Sequence, residues 1–385
     1  MKLFCNAKFV YYDKKNKRFA LFIGNMLVKN GRVIKFTKKT INNAEIIDLN
    51  NQIVLPGFIN AHIHLGEAFF NLPTKMTLLE YLNYSENFNK KLGENKQAHW
   101  DESAHKTLQD CLTFGTCAIN LIRGHYIAKD YNIKALCGYP IMKSEKLKCF
   151  FEQGVAGYKQ YVKECKQNKI IPGVFFHSFY SNDKESFNFA LKCNKITKTF
   201  FALHLFEDLE TEEKVINTWG KDSIMLLSDN KLLNKKTILV HGNYLNDNHL
   251  KLIKQKHVSI VTCPISANKL KTKHIDIKKL ISKNINWCIA TDGLATGETA
   301  DLLKDAQILY KENIESTEIL KALTINPAKA LKIKNEVFGI GAFANFNVFE
   351  MVDSDNINEI VNKILENNIN PKRVYNHGSE VTIDN

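Results

Sequence analysis

LPGFINAHIHLGE, residues 55–67, is the stretch on which the fold of this chain turns. A short apolar run ends in His62-Ile63-His64, and the period of two in a strand puts both histidines on one face. Two imidazoles on one face make a metal clamp only if the rest of the chain supplies further ligands. The same stretch marks a change of rhythm. Before it, KLFCNAKFVYY, RFALFI, GRVIKF and EIIDL alternate as half-buried strands do, broken by Asn-, Gly- and Lys-rich turns. They predict a small sheet. From Pro56 onward, short apolar runs alternate with longer helix-capable segments such as DLETEEKVINTWG and NDNHLKLIKQK.

The apolar runs are GFINAH (57–62), TCAINLI (116–122), IKALCGY (133–139), IIPGVFFH (170–177), TFFALH (199–204), TILVH (237–241), VSIVTC (258–263) and NWCIATD (286–292). Eight strand–helix units in succession predict an α/β fold, a (β/α)8 barrel of the TIM type. TADLLKDAQILYKEN and STEILKALTINPAKAL read as its last helices. Strand rhythm returns in NFNVFEM, KRVYN and SEVTI. Both chain ends are therefore expected to build a small flanking β-sandwich, giving one domain from 1–55 with 340–385 and a hydrolase barrel domain over 56–339.

Composition narrows the function. A chain of 385 residues, 44% hydrophobic and 24% charged, is globular in character. It has no apolar run long enough for a membrane span and no leader-like N-terminus, so a cytoplasmic protein without a membrane partner is expected. The formal charge of +13 raises the question of nucleic acid, but only Arg18, Arg32, Arg123 and Arg373 are arginines; the lysines are scattered and no basic–aromatic stripe marks a strand-tracking groove. No nucleic-acid partner is expected. The nine cysteines form no C-x-x-C pair, which fits reduced, buried thiols.

In barrels of this kind, chemistry sits where strands end. Five of the twelve histidines fall at predicted strand ends: His62 and His64 on the first, His177 on the fourth, His204 on the fifth and His241 on the sixth. Asp292 ends the eighth. A single strand histidine is ordinarily a satisfied core or surface residue. Five with an aspartate at one rim predict a metal site, since imidazoles and one carboxylate suit a borderline metal such as zinc.

LPGFINAHIH, HLFE, VHGNYL, TCPISANKL, ATDGLATGE and LTINPAKAL, in that order, resemble the amidohydrolase superfamily, and its deaminase and chlorohydrolase branch in particular. The resemblance covers nearly the whole chain. It implies one divalent metal, zinc or alternatively iron, held by His62, His64, His204 and Asp292, with His241 beside the attacking water. Strand four lacks the lysine or glutamate with which two-metal members bridge their ions. Glu207 matches the H-x-x-E glutamate that moves protons, although it also lies in a solvated-looking acidic run, EDLETEE. His177, in HSFYS, matches a histidine that contacts the substrate heterocycle. Arg123 ends strand two and has two readings: a contact to an anionic or ribosyl group, or a surface ion pair. The segment with Glu80 and Glu86 corresponds to the region where nucleoside deaminases of this branch place a ribose-binding glutamate.

The implied activity is hydrolytic deamination of an amino-substituted purine, pyrimidine or nucleoside-like small molecule by a metal-activated hydroxide, with Glu207 as proton shuttle, in a homodimer. Hydrolysis of a cyclic amide or a C–Cl bond at the same single metal is the alternative, and a non-catalytic scaffold is a third. A deaminase of the H-x-E, P-C-x-x-C type is excluded, because Cys263-Pro264 has no partner cysteine at that spacing. Two departures stand out. TDGLATG replaces the usual TDG-x-x-S-N, with Thr296 and Gly297, and GAFANFNV replaces G-K-x-A-D-L in the flanking sheet. The G-x-G-x-x-A at Gly339–Ala344 precedes a strand and is no dinucleotide site.

Overall fold

The structure, a computed structural model, describes residues 1–68, 70, 72, 74–143 and 148–381. Four N-terminal strands, β1 (Lys2–Asp13), β2 (Arg18–Lys29), β3 (Arg32–Thr37) and β4 (Glu45–Pro56), lead into β5 (Phe58–His64). The apolar runs that follow become β6 (Thr116–Leu121), β7 (Lys134–Ile141), β8 (Ile171–Phe176), β9 (Phe201–Leu205), β10 (Thr237–His241) and β11 (Ser259–Thr262). The eighth run is interrupted into β12 (Trp287–Ile289) and β13 (Asp292–Gly293).

β5 to β13 form one nine-stranded parallel sheet in the order β12-β11-β10-β9-β8-β7-β6-β5-β13. Its two end strands, β12 and β13, are neighbours in the chain, separated by Ala290-Thr291 alone. β12 pairs with β11 and β13 with β5, so the sheet curls until the last run meets the first. Every residue of β6, β9, β10 and β11 is buried. Burial on both faces is why these strands read as apolar runs and not as alternation. Where β12 and β13 break, side chains take over from the ladder. Asn60 Nδ2 donates to Thr291 Oγ1 (2.7 Å), and Asn60 Oδ1 accepts from the backbone amides of His62 (3.3 Å) and Thr291 (3.4 Å).

Helices return the chain between strands, and several start on a side chain that accepts from the open first turn: Asp183, Asp208, Asn246 and Asp301. Two helices between β5 and β6 matter for the site, α1 (Leu78–Leu92) and α2 (Lys96–Thr113). Among the described residues no helix is long and apolar enough to cross a membrane.

After the parallel sheet come β14 (Phe346–Phe349), β15 (Arg373–Asn376) and β16 (Ser379–Glu380), which join the N-terminal strands in a seven-stranded sheet ordered β16-β15-β14-β4-β1-β2-β3. Phe4, Phe346, Phe338 and Tyr375 pack edge and face within its own core. An amphipathic helix, Ile357–Glu366, lies between β14 and β15, where the strand rhythm had suggested no helix. Eight described cysteines are free and buried.

Candidate metal centre and active site

The C-terminal ends of the parallel strands bring His62, His64, His204 and Asp292 together. His62 Nε2 lies 3.0 Å from His64 Nε2 and 3.1 Å from His204 Nε2, and both His62 and His64 Nε2 lie 3.3 Å from Asp292 Oδ1. All four donor atoms fall within 4.8 Å of one another. Four ligands at about 2.0–2.1 Å from a tetrahedral zinc stand about 3.3–3.4 Å apart, so these separations are those of a ligand set. His62 stacks on buried Phe175 and meets His204 edge-on, which fixes the rings from behind.

Protonation favours the same reading. Burial pushes His62 down, and burial with the neighbouring imidazoles pushes His204 well down, so both are neutral with lone pairs to give. Burial alone would raise the Asp292 carboxyl. The hydrogen bond with His62 and the surrounding histidines outweigh it and hold the group well below the usual carboxylate range.

Around this cluster stand the groups that can move protons. His241, at the end of β10, has its Nε2 3.5 Å from Glu207 Oε1 and 3.9 Å from Asp292 Oδ2. Burial brings its imidazole down to about 4, so it is neutral at pH 7. Glu207 follows β9 on the same rim. Burial first, then Asp292 and Asp208, push its carboxyl well up. Two carboxyls in one site are thus driven apart, Asp292 toward the carboxylate and Glu207 toward the neutral acid, which is the pattern of a division between metal ligand and proton donor.

Backbone strain marks the same place. Among the described residues, the non-glycine residues with positive φ are exposed except for three: Phe206 (φ 48°), His241 (φ 71°) and Asp292 (φ 62°). Each such residue costs on the order of 1–3 kcal/mol and persists where surrounding structure imposes it.

The cluster opens into a cavity of about 1150 Å³. His177, Arg123 and Glu86 line it, with the metal-side residues. His177 is held by hydroxyls: its Nδ1 lies 2.8 Å from Ser181 Oγ and 3.2 Å from Ser178 Oγ. Arg123 lies with its guanidinium 3.8 Å over the ring of Trp100, itself a cavity residue. Glu80 is occupied elsewhere, closing a capping box with Thr77 at the start of α1 (Oε2 to Thr77 N, 2.7 Å). Glu86 forms an exposed pair with Lys90 (2.8 Å).

Several residues had no strong signal in the sequence. Ser266 donates to Asp292 Oδ2 (2.7 Å) and lies 2.9 Å from Thr296 Oγ1, so the hydroxyl at the departure TDGLATG joins the support of the metal-side carboxylate. Cys263 places its sulfur near His241 and Asp292. Burial raises that thiol well above its ordinary value, so it is a neutral neighbour and a poor ligand. Tyr81 and Tyr180 line the cavity as phenols kept protonated by burial. The TCPIS motif was the available clue to Ser266 and Cys263; the tyrosines had none.

Comparison with known proteins agrees. A deaminase of 5-methylthioadenosine and S-adenosylhomocysteine from Pyrococcus abyssi is 25% identical over 355 residues, 86% of this chain and 82% of that protein. A 5'-deoxyadenosine deaminase from Methanocaldococcus jannaschii is 28% identical over 339 residues, 82% of this chain and 78% of its own. In structure, an adenosine deaminase from Xanthomonas campestris with bound zinc superposes with a TM-score of 0.84 at 17% identity, covering 99% of this chain and 93% of that one, a likeness of fold. Residues 53–381 match the amidohydrolase family, and the chain belongs to that family.

Proposed function

We propose that the protein is a metal-dependent aminohydrolase that removes an exocyclic amine from a purine, pyrimidine or nucleoside-like heterocycle as ammonia. The observation that carries this is the convergence of three imidazoles and the Asp292 carboxylate on one point, with Glu207 beside them 3.5 Å from His241. The deaminase activities in the names of its relatives support the class.

His62, His64 and His204 through Nε2 and Asp292 through Oδ1 are the residues to hold a divalent ion, zinc in preference to iron given the imidazole-rich set. Such an ion supplies Lewis-acid polarisation and brings the pKa of a coordinated water toward neutrality. The chain's own residues do the rest. Glu207 gives its proton to the ring nitrogen beside the carbon under attack, accepts one from the water, and passes it to the departing amine. The water oxygen bonds to that carbon, the exocyclic C–N bond breaks as ammonia leaves, and the second water proton, left on the new hydroxyl, returns to Glu207, which restores the acid and leaves the oxo-heterocycle. His241 Nε2 and Asp292 Oδ2 face the path of the water proton. His177, steadied by Ser181 and Ser178, faces the heterocycle, and Arg123 on Trp100 the remainder of the substrate.

We read the curled sheet as a (β/α)8 barrel whose eighth strand is split, residues 56–339, beside a β-sandwich unit from 1–55 and 340–385. A cytoplasmic homodimer acting on a small molecule completes the proposal. The decisive experiment is ammonia release from zinc-loaded protein on a panel of aminated purines, pyrimidines and nucleosides. Opening of a lactam without ammonia from any aminated heterocycle would sink the deaminase reading.

A further inference from the structure

We infer that Glu67 is a positioning residue for His64, locked in place from α1 by Tyr81, so that metal binding and the seating of α1 over the cavity reinforce each other. The inference rests on His64 being a metal ligand, as proposed above.

Glu67 closes the stretch LPGFINAHIHLGE, three residues after His64. The two nitrogens of His64 face different ways. Nε2 looks toward His62 and Asp292. Nδ1 lies 3.5 Å from Glu67 Oε1. A carboxylate on the outer nitrogen of a ligating imidazole fixes its tautomer and ring orientation and raises its basicity as a ligand. His62 differs: its Nδ1 has no hydrogen-bond partner among the described residues. Glu67 is therefore a support specific to one ligand, not a general feature of the set.

The second oxygen of Glu67 is also engaged. Tyr81 Oη donates to Oε2 at 3.3 Å. Room for that oxygen comes from Gly293, directly after Asp292, where an added Cβ would lie 1.9 Å from Oε2. The carboxylate is thus wedged between the two strand ends that carry His64 and Asp292.

Tyr81 belongs to a helix with little else to hold it. Only Leu78 of α1 is fully buried. The apolar contacts of α1 lie in a small separate cluster in which Tyr81 and Phe88 meet Phe70, Leu72 and Ala295. Ala295 sits in the short helix Leu294–Gly297 that follows Asp292. Leu79, Leu82 and Asn83 of α1 form a wall of the cavity. A wall so lightly packed, yet hydrogen-bonded to the support of a metal ligand, is coupled to the metal by mass action in both directions.

The test uses full-length apo protein and zinc. Zinc affinity is measured by competition with a chromophoric chelator for wild type, Glu67→Gln, Glu67→Ala and Tyr81→Phe. Cobalt-substituted protein gives a visible spectrum that reports the ligand geometry, and hydrogen exchange over Leu78–Leu92 is followed with and without zinc. The expected results are a 10–100-fold loss of zinc affinity in Glu67→Ala, a smaller loss with an altered cobalt spectrum in the isosteric Glu67→Gln, and slower exchange of α1 on zinc binding that Tyr81→Phe removes. The inference is overturned if Glu67→Gln binds zinc within twofold of wild type with an unchanged cobalt spectrum. It is equally overturned if zinc leaves exchange in α1 of the wild type unaltered. Should Glu67→Ala fail to fold, the two isosteric variants decide. Wild type that binds no zinc at all would instead remove the metal reading itself.

Discussion

The floor and the wall of the cavity are built by different means. On the floor, His62, His204, His241 and Asp292 sit at the ends of parallel strands, almost fully buried, held by the pairing of β9 with β10, of β13 with β5, and by the Asn60–Thr291 bridge. On the wall, Tyr81, Asn83 and Glu86 come from α1, and Arg123 rests on Trp100 of α2. They are held by a small apolar cluster and by side-chain hydrogen bonds. The floor is built into the sheet; the wall is lightly packed and touches the floor through Tyr81 and Glu67.

The sharpest way to break this division is to remove a floor ligand. His62→Ala or Asp292→Ala is expected to abolish stoichiometric metal and reduce ammonia release to background, checked by elemental analysis alongside turnover. Retention of full metal content in both variants would show that the four-residue set is not the site.

Glu207→Gln separates binding from proton transfer on the same floor. Metal content should stay at the wild-type level while kcat falls by about 10²–10⁴-fold, the usual contribution of a positioned acid–base group. Near-full activity would take Glu207 out of the reaction. Ser181→Ala acts where floor meets wall, by removing the nearer of the two hydroxyls on His177 Nδ1. Loss of one such hydrogen bond, about 1 kcal/mol, predicts a roughly fivefold rise in KM with a smaller change in kcat. A fall in kcat alone would assign His177 to the floor.

The same division explains what could be read from residues alone. His62 and His64 were legible because strand period and strand ends are local properties, and five histidines at the ends of apolar runs are hard to produce otherwise. All eight runs became strands for the same reason. The split of the eighth run was not legible, since Ala290 and Thr291 are as compatible with a strand as their neighbours; Ala290 N keeps a bond to Thr262 O (3.0 Å), and Asn60, 231 residues from Thr291, bridges the rest. Glu80 shows a local signal of another kind: it lies in the segment matching the region of a ribose-binding glutamate, but T-x-x-E ahead of an apolar run is also a capping box, and in the structure its carboxylate accepts from Thr77 N. Tyr81 and Trp100 reach the cavity through packing of helices, which no spacing within the sequence encodes.

The smallest expected effect on catalysis comes from a buried acid that belongs to neither region, and it tests whether burial or function raises a carboxyl here. Asp301 starts the helix Leu302–Lys311 by accepting from Leu303 N (3.0 Å), while its Oδ2 has no hydrogen-bond partner among the described residues. Burial pushes the carboxyl from 3.8 up to about 6. A raised acid favours folding in its neutral form, so its contribution is complete below pH about 3.8 and is lost as pH rises through about 6. The difference amounts to about 3 kcal/mol at most. Asp301→Asn keeps the cap acceptor and removes the titration. Thermal melts between pH 4 and pH 7 should show this component of the pH slope in the wild type and its absence in the variant, with kcat unchanged at neutral pH. Equal slopes would mean that Asp301 is solvated in the native state, and would weaken the case that burial is the chief cause of the upward shift of Glu207 in the same protein.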